Sequence, residues 1–75
     1  MKFTANEYTP QEICKMLREW TELSQTEFGK SIHRSDRSIR MLESGESHLT
    51  VETLLKIANT HGMKVIIQKE VKSQK

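Results

Sequence analysis

The chain has little of what most chemistries require. It carries one cysteine, one proline and three glycines in 75 residues. One cysteine cannot close an internal disulfide, and there is no cysteine pair of the kind that ligates a metal. That usage fits a reducing, cytoplasmic setting. Three glycines are too few for a phosphate-cradling loop. No apolar run approaches the roughly 18 residues of a membrane span. Residues 1–6 lack the apolar stretch of a signal peptide, so neither a membrane anchor nor a leader is expected. The hydrophobic set is 35% of the chain. That suffices for one small domain, whose core stabilises by only about 3–5 kcal/mol. It is too little to wall a deep pocket, so an enzyme is not expected and no cofactor is called for.

What is present is helical punctuation. Thr9-Pro10-Gln11-Glu12 combines an N-cap hydroxyl, a proline at the first helical position and a glutamate at the third, a capping box. Ile13, Leu17 and Trp20 follow at helical spacing, with Met16 beside them. Cys14, Lys15, Arg18 and Glu19 fall on or near the other face. The first helix is expected over residues 10–22. Ser24 and Glu27 form a second capping box, opening a short helix over residues 25–32 with Phe28 and Ile32 on one face. His33-Arg34 breaks the pattern. Ser35 starts a third helix, with Asp36 in the first turn, where the helix dipole favours negative charge. Ile39 and Leu42 make its narrow apolar stripe, and Gly45 is placed for a left-handed cap.

Thr50 caps a fourth helix with Val51, Leu54, Leu55 and Ala58 at i, i+3, i+4 and i+7, and Ile57 adds to that face. The core is expected to hold Ile13, Leu17, Trp20, Phe28, Ile32, Ile39, Leu42, Leu54, Leu55 and Ala58. His61-Gly62 stops the helix. Residues 63–68 are then β-branched and short, which reads as a strand. Residues 1–8 show no helical period and read as an arm, and residues 69–75 as a disordered tail. The main domain spans residues 9–68. The expected fold is therefore all-α, four helices, with one short C-terminal β-strand.

The second and third helices are short and joined by few residues, which fits a helix-turn-helix. Between residues 30 and 40 stand four cations, Lys30, Arg34, Arg37 and Arg40, against the single acid Asp36. The net charge of the whole chain is only +2, so the positive charge is focused on this helix pair, where DNA phosphates could be neutralised. The bland reading, a solvated charged face, loses weight because the third helix also has a narrow core-facing stripe. A metal site built from His33, His48, His61 and Cys14 matches no ligand spacing. No catalytic constellation stands out, since no pocket or oxyanion site accompanies the serines and histidines.

Residues 23–63 resemble the phage-repressor (Cro/C1, also called XRE) family of helix-turn-helix DNA-binding domains. Leu23-Ser24-Gln25-Thr26-Glu27-Phe28 resembles the opening of the family's second helix. Ser35, Ile39, Glu43 and Gly45 fall at its third-helix positions, and Thr53-Leu54-Leu55-Lys56-Ile57-Ala58 resembles its fourth-helix signature. The resemblance implies a lambda-repressor-like fold. It places Gln25 against a DNA phosphate, makes Arg34 and Ser35 further backbone candidates, and points Asp36, Arg37 and Met41 at base edges, with Arg40 beside them reaching a base or a phosphate. Ser44 and the loop around Glu46 and His48 match a backbone-touching region.

The chemistry of these side chains agrees in part. Arg37 can pair with guanine O6 and N7, worth about 1–3 kcal/mol of discrimination. Met41 can meet a thymine methyl. Asp36 can accept from a cytosine amine, or cap the helix and orient Arg37 or Arg40; the second is preferred, since a carboxylate near phosphates is costly. The chain departs from the family with His33 where glycine is usual, Leu49 where proline is frequent, and a strand in place of a fifth helix.

A lone strand needs a partner for its backbone groups. A second copy, paired about a two-fold axis through Val65, Ile66 and Ile67, is preferred over the intrachain arm at residues 2–5. A homodimer also suits DNA, since two readers one helical turn apart, roughly 34 Å, read a palindrome. The terminal strand further resembles the Hip-type antitoxin subgroup, which implies a strand-swapped dimer with a toxin protein as partner. Two main functions are thus expected to compete: a DNA-binding regulator on double-stranded DNA, and an antitoxin whose main partner is a toxin. A purely structural helical module stands behind both.

Overall fold

Four side-chain hydroxyls set where the helices begin. Thr9, Ser24, Ser35 and Thr50 each adopt extended backbone angles and accept a hydrogen bond from the backbone N–H three residues on. At Thr9 and Ser24 the glutamate three residues later returns the bond to the cap's own N–H, completing both capping boxes. In the computed structural model, which describes residues 1–71, these caps open α1 (Pro10–Thr21), α2 (Gln25–Ser31), α3 (Asp36–Ser44) and α4 (Val51–Thr60). Both α1 and α2 stop one residue before the expected ends. Glu22 leaves α1 in the left-handed region at φ 62°, and Ile32 leaves α2 as its cap.

The α2–α3 turn is tight, and two residues make it so. The Gly29 carbonyl accepts from both Ile32 N–H (3.0 Å) and Arg34 N–H (2.7 Å). A Cβ on Gly29 would stand 2.5 Å from the Arg34 carbonyl oxygen, so only hydrogen fits there. His33 then reverses the chain at φ 62°, a conformation that costs a side chain more than it costs glycine. His33 thus makes the reversal for which the family usually has glycine, while Gly29 serves the close approach of the two helices.

Cys14 and Leu17 from α1, Phe28 and Ile32 from α2 and its cap, Ile39 and Leu42 from α3, and Ile57 from α4 form one buried cluster. Ile13, Trp20 and Leu54 pack against it half-buried, and Ala58 is buried. Leu55, expected in the core, is 43% exposed. It lies about 100° around the helix from Leu54, and α4 turns Thr53, Ile57 and Ala58 inward instead. Conversely, Cys14 was placed on or near the outer face of α1 and is fully buried. The inward stripe of α1 is centred on Cys14 and Leu17, one turn apart. Burial, with the Glu43 carboxylate second, pushes the Cys14 thiol up to about 11, against the pull of Arg18 and Arg34.

The N-terminal residues are not a free arm. Ala5–Glu7 form a 3-10 turn. Phe3 meets Trp20 edge-on at 5.4 Å between ring centroids and Tyr8 at 5.7 Å. Trp20 is therefore covered from the N-terminal side.

The expected C-terminal strand is absent. Residues 63–71 carry no regular secondary structure. Among the described residues the last backbone hydrogen bond runs from Met63 N–H to the Ala58 carbonyl, and Val65, Ile66 and Ile67 are exposed, Ile67 by 95%. The preference of β-branched residues for strands is a preference for a paired, half-buried surface, not for an isolated chain. The one intrachain candidate, residues 2–5, is drawn instead into the 3-10 turn and the Trp20 contact. Among the described residues the fold is all-α, with no strand for a dimer to pair through. The likeness to the Hip-type subgroup rested on that strand and loses its basis. Of the tail read over residues 69–75, residues 72–75 lie outside the described residues.

Gly29→Val should cost about 1–3 kcal/mol in chemical denaturation, because the branched side chain must displace backbone at the turn. Cys14 titrates lower when unfolded, near 9.0, than when folded, about 11. The unfolded state thus loses the proton first, and stability should fall as pH rises between those values, by about 2 kcal/mol in total. Denaturation midpoints of Cys14→Ala, followed from neutral to alkaline pH, should lack that extra decline.

Candidate nucleic-acid interface

The site is built on a polar centre beneath it. Arg18 on α1 donates from Nε to Glu43 Oε2 (2.6 Å) and from Nη2 to Oε1 (3.2 Å), a two-pronged pair across 25 positions. Its Nη1 donates to the Leu23 carbonyl in the α1–α2 turn (3.1 Å). Gln25, the first residue of α2, donates from Nε2 to Glu43 Oε1 (3.1 Å). The Glu43 side chain is 7% exposed and that of Arg18 18%. The hydrogen bond to Glu43 raises the Arg18 guanidinium above its usual pKa despite the opposing cost of burial. One carboxylate thus ties the end of α1, the start of α2 and the last turn of α3.

This arrangement leaves a shallow, open groove lined by Lys15, Gln25, Arg37, Arg40, Met41, Glu43, Ser44 and Glu46. Ile39 and Leu42 anchor α3 in the core, so its outward face carries Arg37, Arg40 and Met41. Five of the residues proposed from the sequence come together here: Gln25, Arg37, Arg40, Met41 and Ser44. Asp36 bonds Arg40 one turn on, Oδ2 to Nη1 at 3.0 Å, with both side chains about half exposed. A pair so exposed contributes only about 0.3–0.5 kcal/mol, so its consequence is orientation. Arg37 has no side-chain hydrogen bond or ion pair among the described residues. Ser44 Oγ is engaged locally, donating to the Met41 carbonyl at 3.2 Å.

Three of the proposed residues, Asp36, Ser35 and Arg34, are not part of the groove's lining. Ser35 spends its hydroxyl on the Ser38 N–H as the cap of α3. Arg34 turns away toward α4, donating to Ser38 Oγ (2.9 Å) and Thr53 Oγ1 (3.0 Å). Sequence reasoning missed Lys15 as a wall of the groove and missed the Arg18–Glu43 pair. Both partners were on view, Glu43 as a third-helix position and Arg18 on the outer face of α1. No local pattern links residues so far apart.

The histidines are scattered. His33 makes the turn, His48 is exposed in a loop, and His61 stacks on Phe28 with its Nε2 2.9 Å from Ser31 Oγ. Among the described residues, no three or more His, Cys, Asp or Glu side chains are grouped to hold a metal. Nor is any helix among them long and apolar enough to cross a membrane.

Four helices, a glycine-dependent turn between the second and third, and a third helix presenting cations outward define a helix-turn-helix DNA-binding domain. The helix-turn-helix family model matches residues 15–65. The chain belongs to that family, of the Cro/C1 (XRE) type, whose domains are non-catalytic DNA-binding modules. Neither the curated proteins nor the solved structures compared with the chain gave a match.

Glu43→Ala should cost about 3–5 kcal/mol, since it leaves the Arg18 charge largely buried without its partner. Replacing both, with Arg18→Met and Glu43→Leu, should recover most of that loss. Urea midpoints of the single and double variants check both outcomes.

Proposed function

We propose that this chain is a sequence-specific transcriptional regulator that reads a palindromic operator as a homodimer, with α3 in the major groove. One observation carries the reading. Arg37 stands uncommitted on the exposed face of α3, beside an Arg40 already steered by Asp36, at a groove that Gln25 also lines. A guanidinium without an internal partner presents its full fork to guanine O6 and N7. Met41, half-buried beside it, supplies apolar surface for a thymine methyl. Asp36 acts through Arg40 in this reading, orienting it toward base edges or phosphate.

Backbone contacts fall to Gln25, Arg34, Ser35 and Ser44. Gln25 is held from behind by Glu43 at the start of α2, where free helical N–H groups also favour a phosphate. We assign the dimer contact to Val65, Ile66 and Ile67, three adjacent apolar side chains exposed beyond α4. A single module of this size reads few bases, and a symmetric pair doubles the site.

Selection of bound duplexes from a random pool, followed by salt titration of the winner, tests the function. A palindrome with a steep salt dependence is expected. Weak binding without an enriched site would overturn the reading. Arg37→Ala should weaken the selected site by about 1–3 kcal/mol and relax preference at one position per half-site. Equal weakening on every sequence would make Arg37 a phosphate contact instead.

A further inference from the structure

Arg34 is the arginine of the helix pair that faces neither the groove nor a carboxylate. Neither ion pair among the described residues includes it. It is nonetheless held. Its two terminal nitrogens donate to Ser38 Oγ, in the first turns of α3, and to Thr53 Oγ1, in the first turn of α4. Thr53 is 6% exposed, and its hydroxyl is itself fixed. Thr50 Oγ1 donates to Thr53 Oγ1 (3.0 Å) while accepting from the Thr53 N–H (3.1 Å). Ser38 lies over the α3 cap, its N–H bound to Ser35 Oγ.

A surface arginine ordinarily keeps most of its rotamer freedom and loses it on binding. Here two neutral hydroxyls fix the guanidinium without neutralising it. They occupy only part of its set of five donors, and the residue as a whole is exposed. The result is a full positive charge in a set position, with donors left for an anion. Two oxygen acceptors that carry no charge are what a preorganised phosphate ligand needs, because a carboxylate in their place would compete with the phosphate.

We infer that Ser38 and Thr53 are positioning residues that hold Arg34 ready for a DNA phosphate at the α3–α4 edge of the interface. The inference rests on the proposed DNA reading and adds to it a scaffold that joins α4 to the phosphate contact. Thr53 and Ser38 do not touch DNA in this scheme; they lower the ordering cost of the residue that does. The contact is sequence-independent, so it acts on all duplexes alike.

The test is a double-mutant cycle on the full chain, with thermal unfolding followed in parallel. The variants are Arg34→Ala, the pair Ser38→Ala with Thr53→Val, and all three together. Each is titrated with the selected duplex and with a scrambled duplex across a salt series. Arg34→Ala is expected to reduce the salt slope by about 0.9, one phosphate contact, on both duplexes. The hydroxyl pair variant is expected to lose about three- to tenfold in affinity on both duplexes, with the slope kept, and to lose nothing more in the Arg34→Ala background. Arg34→Lys should keep the slope, because the charge stays.

An unchanged slope in Arg34→Ala would overturn the phosphate contact. Equal losses from the hydroxyl pair with and without Arg34 would make Ser38 and Thr53 merely structural and overturn the positioning role. Absence of salt-dependent binding by the unsubstituted protein would instead overturn the DNA reading on which both rest.

Discussion

The constraint on which the molecule depends is one nearly buried carboxylate. Glu43 accepts two bonds from Arg18 and one from Gln25, while Arg18 also holds the Leu23 carbonyl. Three helices and one turn are therefore referred to a single point. A core this small cannot fix helix orientation by buried area alone, since apolar contact is non-directional. Two-pronged charged hydrogen bonds are directional, and they settle the angle at which α3 leaves the body. The desolvation of both charges opposes this pair. The short paired geometry and the additional partners offset it.

The same arrangement sorts the arginines into different tasks. Arg18 looks inward and is structural. Arg40 is held across the face of α3 by Asp36, and Arg34 is latched by hydroxyls at the entry to α3 and the start of α4. Arg37 alone among these four is uncommitted within the described residues. Residues of identical chemistry thus divide between holding the fold, carrying charge in a fixed position, and remaining available to a base. The division follows from which acceptor each guanidinium can reach, a carboxylate below, one beside, hydroxyls, or none.

Much of this was legible in the chain because much of it is local. A cap hydroxyl and the N–H it accepts are three residues apart, so the starts of all four helices could be read directly. Gly45 was readable as a left-handed cap for the same reason, and it adopts φ 89°. Five groove residues could be named because the third helix fixes their mutual spacing and the family resemblance fixes the register. What failed was non-local. The β-branched run at residues 63–68 looks like a strand, but strand formation is decided by an edge to pair with. The neighbouring arm is used elsewhere, by Phe3 on Trp20. Cys14 and Leu55 were misplaced because a helical stripe shows its period in sequence but not its absolute direction. That direction is set by what the helix packs against.

By itself, then, the sequence determined the helix boundaries to within a residue, the turn between α2 and α3, and the concentration of cations on that pair. These depend on caps, periodicity and charge spacing, which act within a few residues. Tertiary structure alone decided that Arg18 and Glu43 meet, that Gly29 rather than the turn residue requires glycine for space, that Arg34 reaches α4, and that residues 63–71 form no strand. Each of those is a contact, or a missing contact, between segments distant in the chain. Its energy exists only once the chain has brought the partners together.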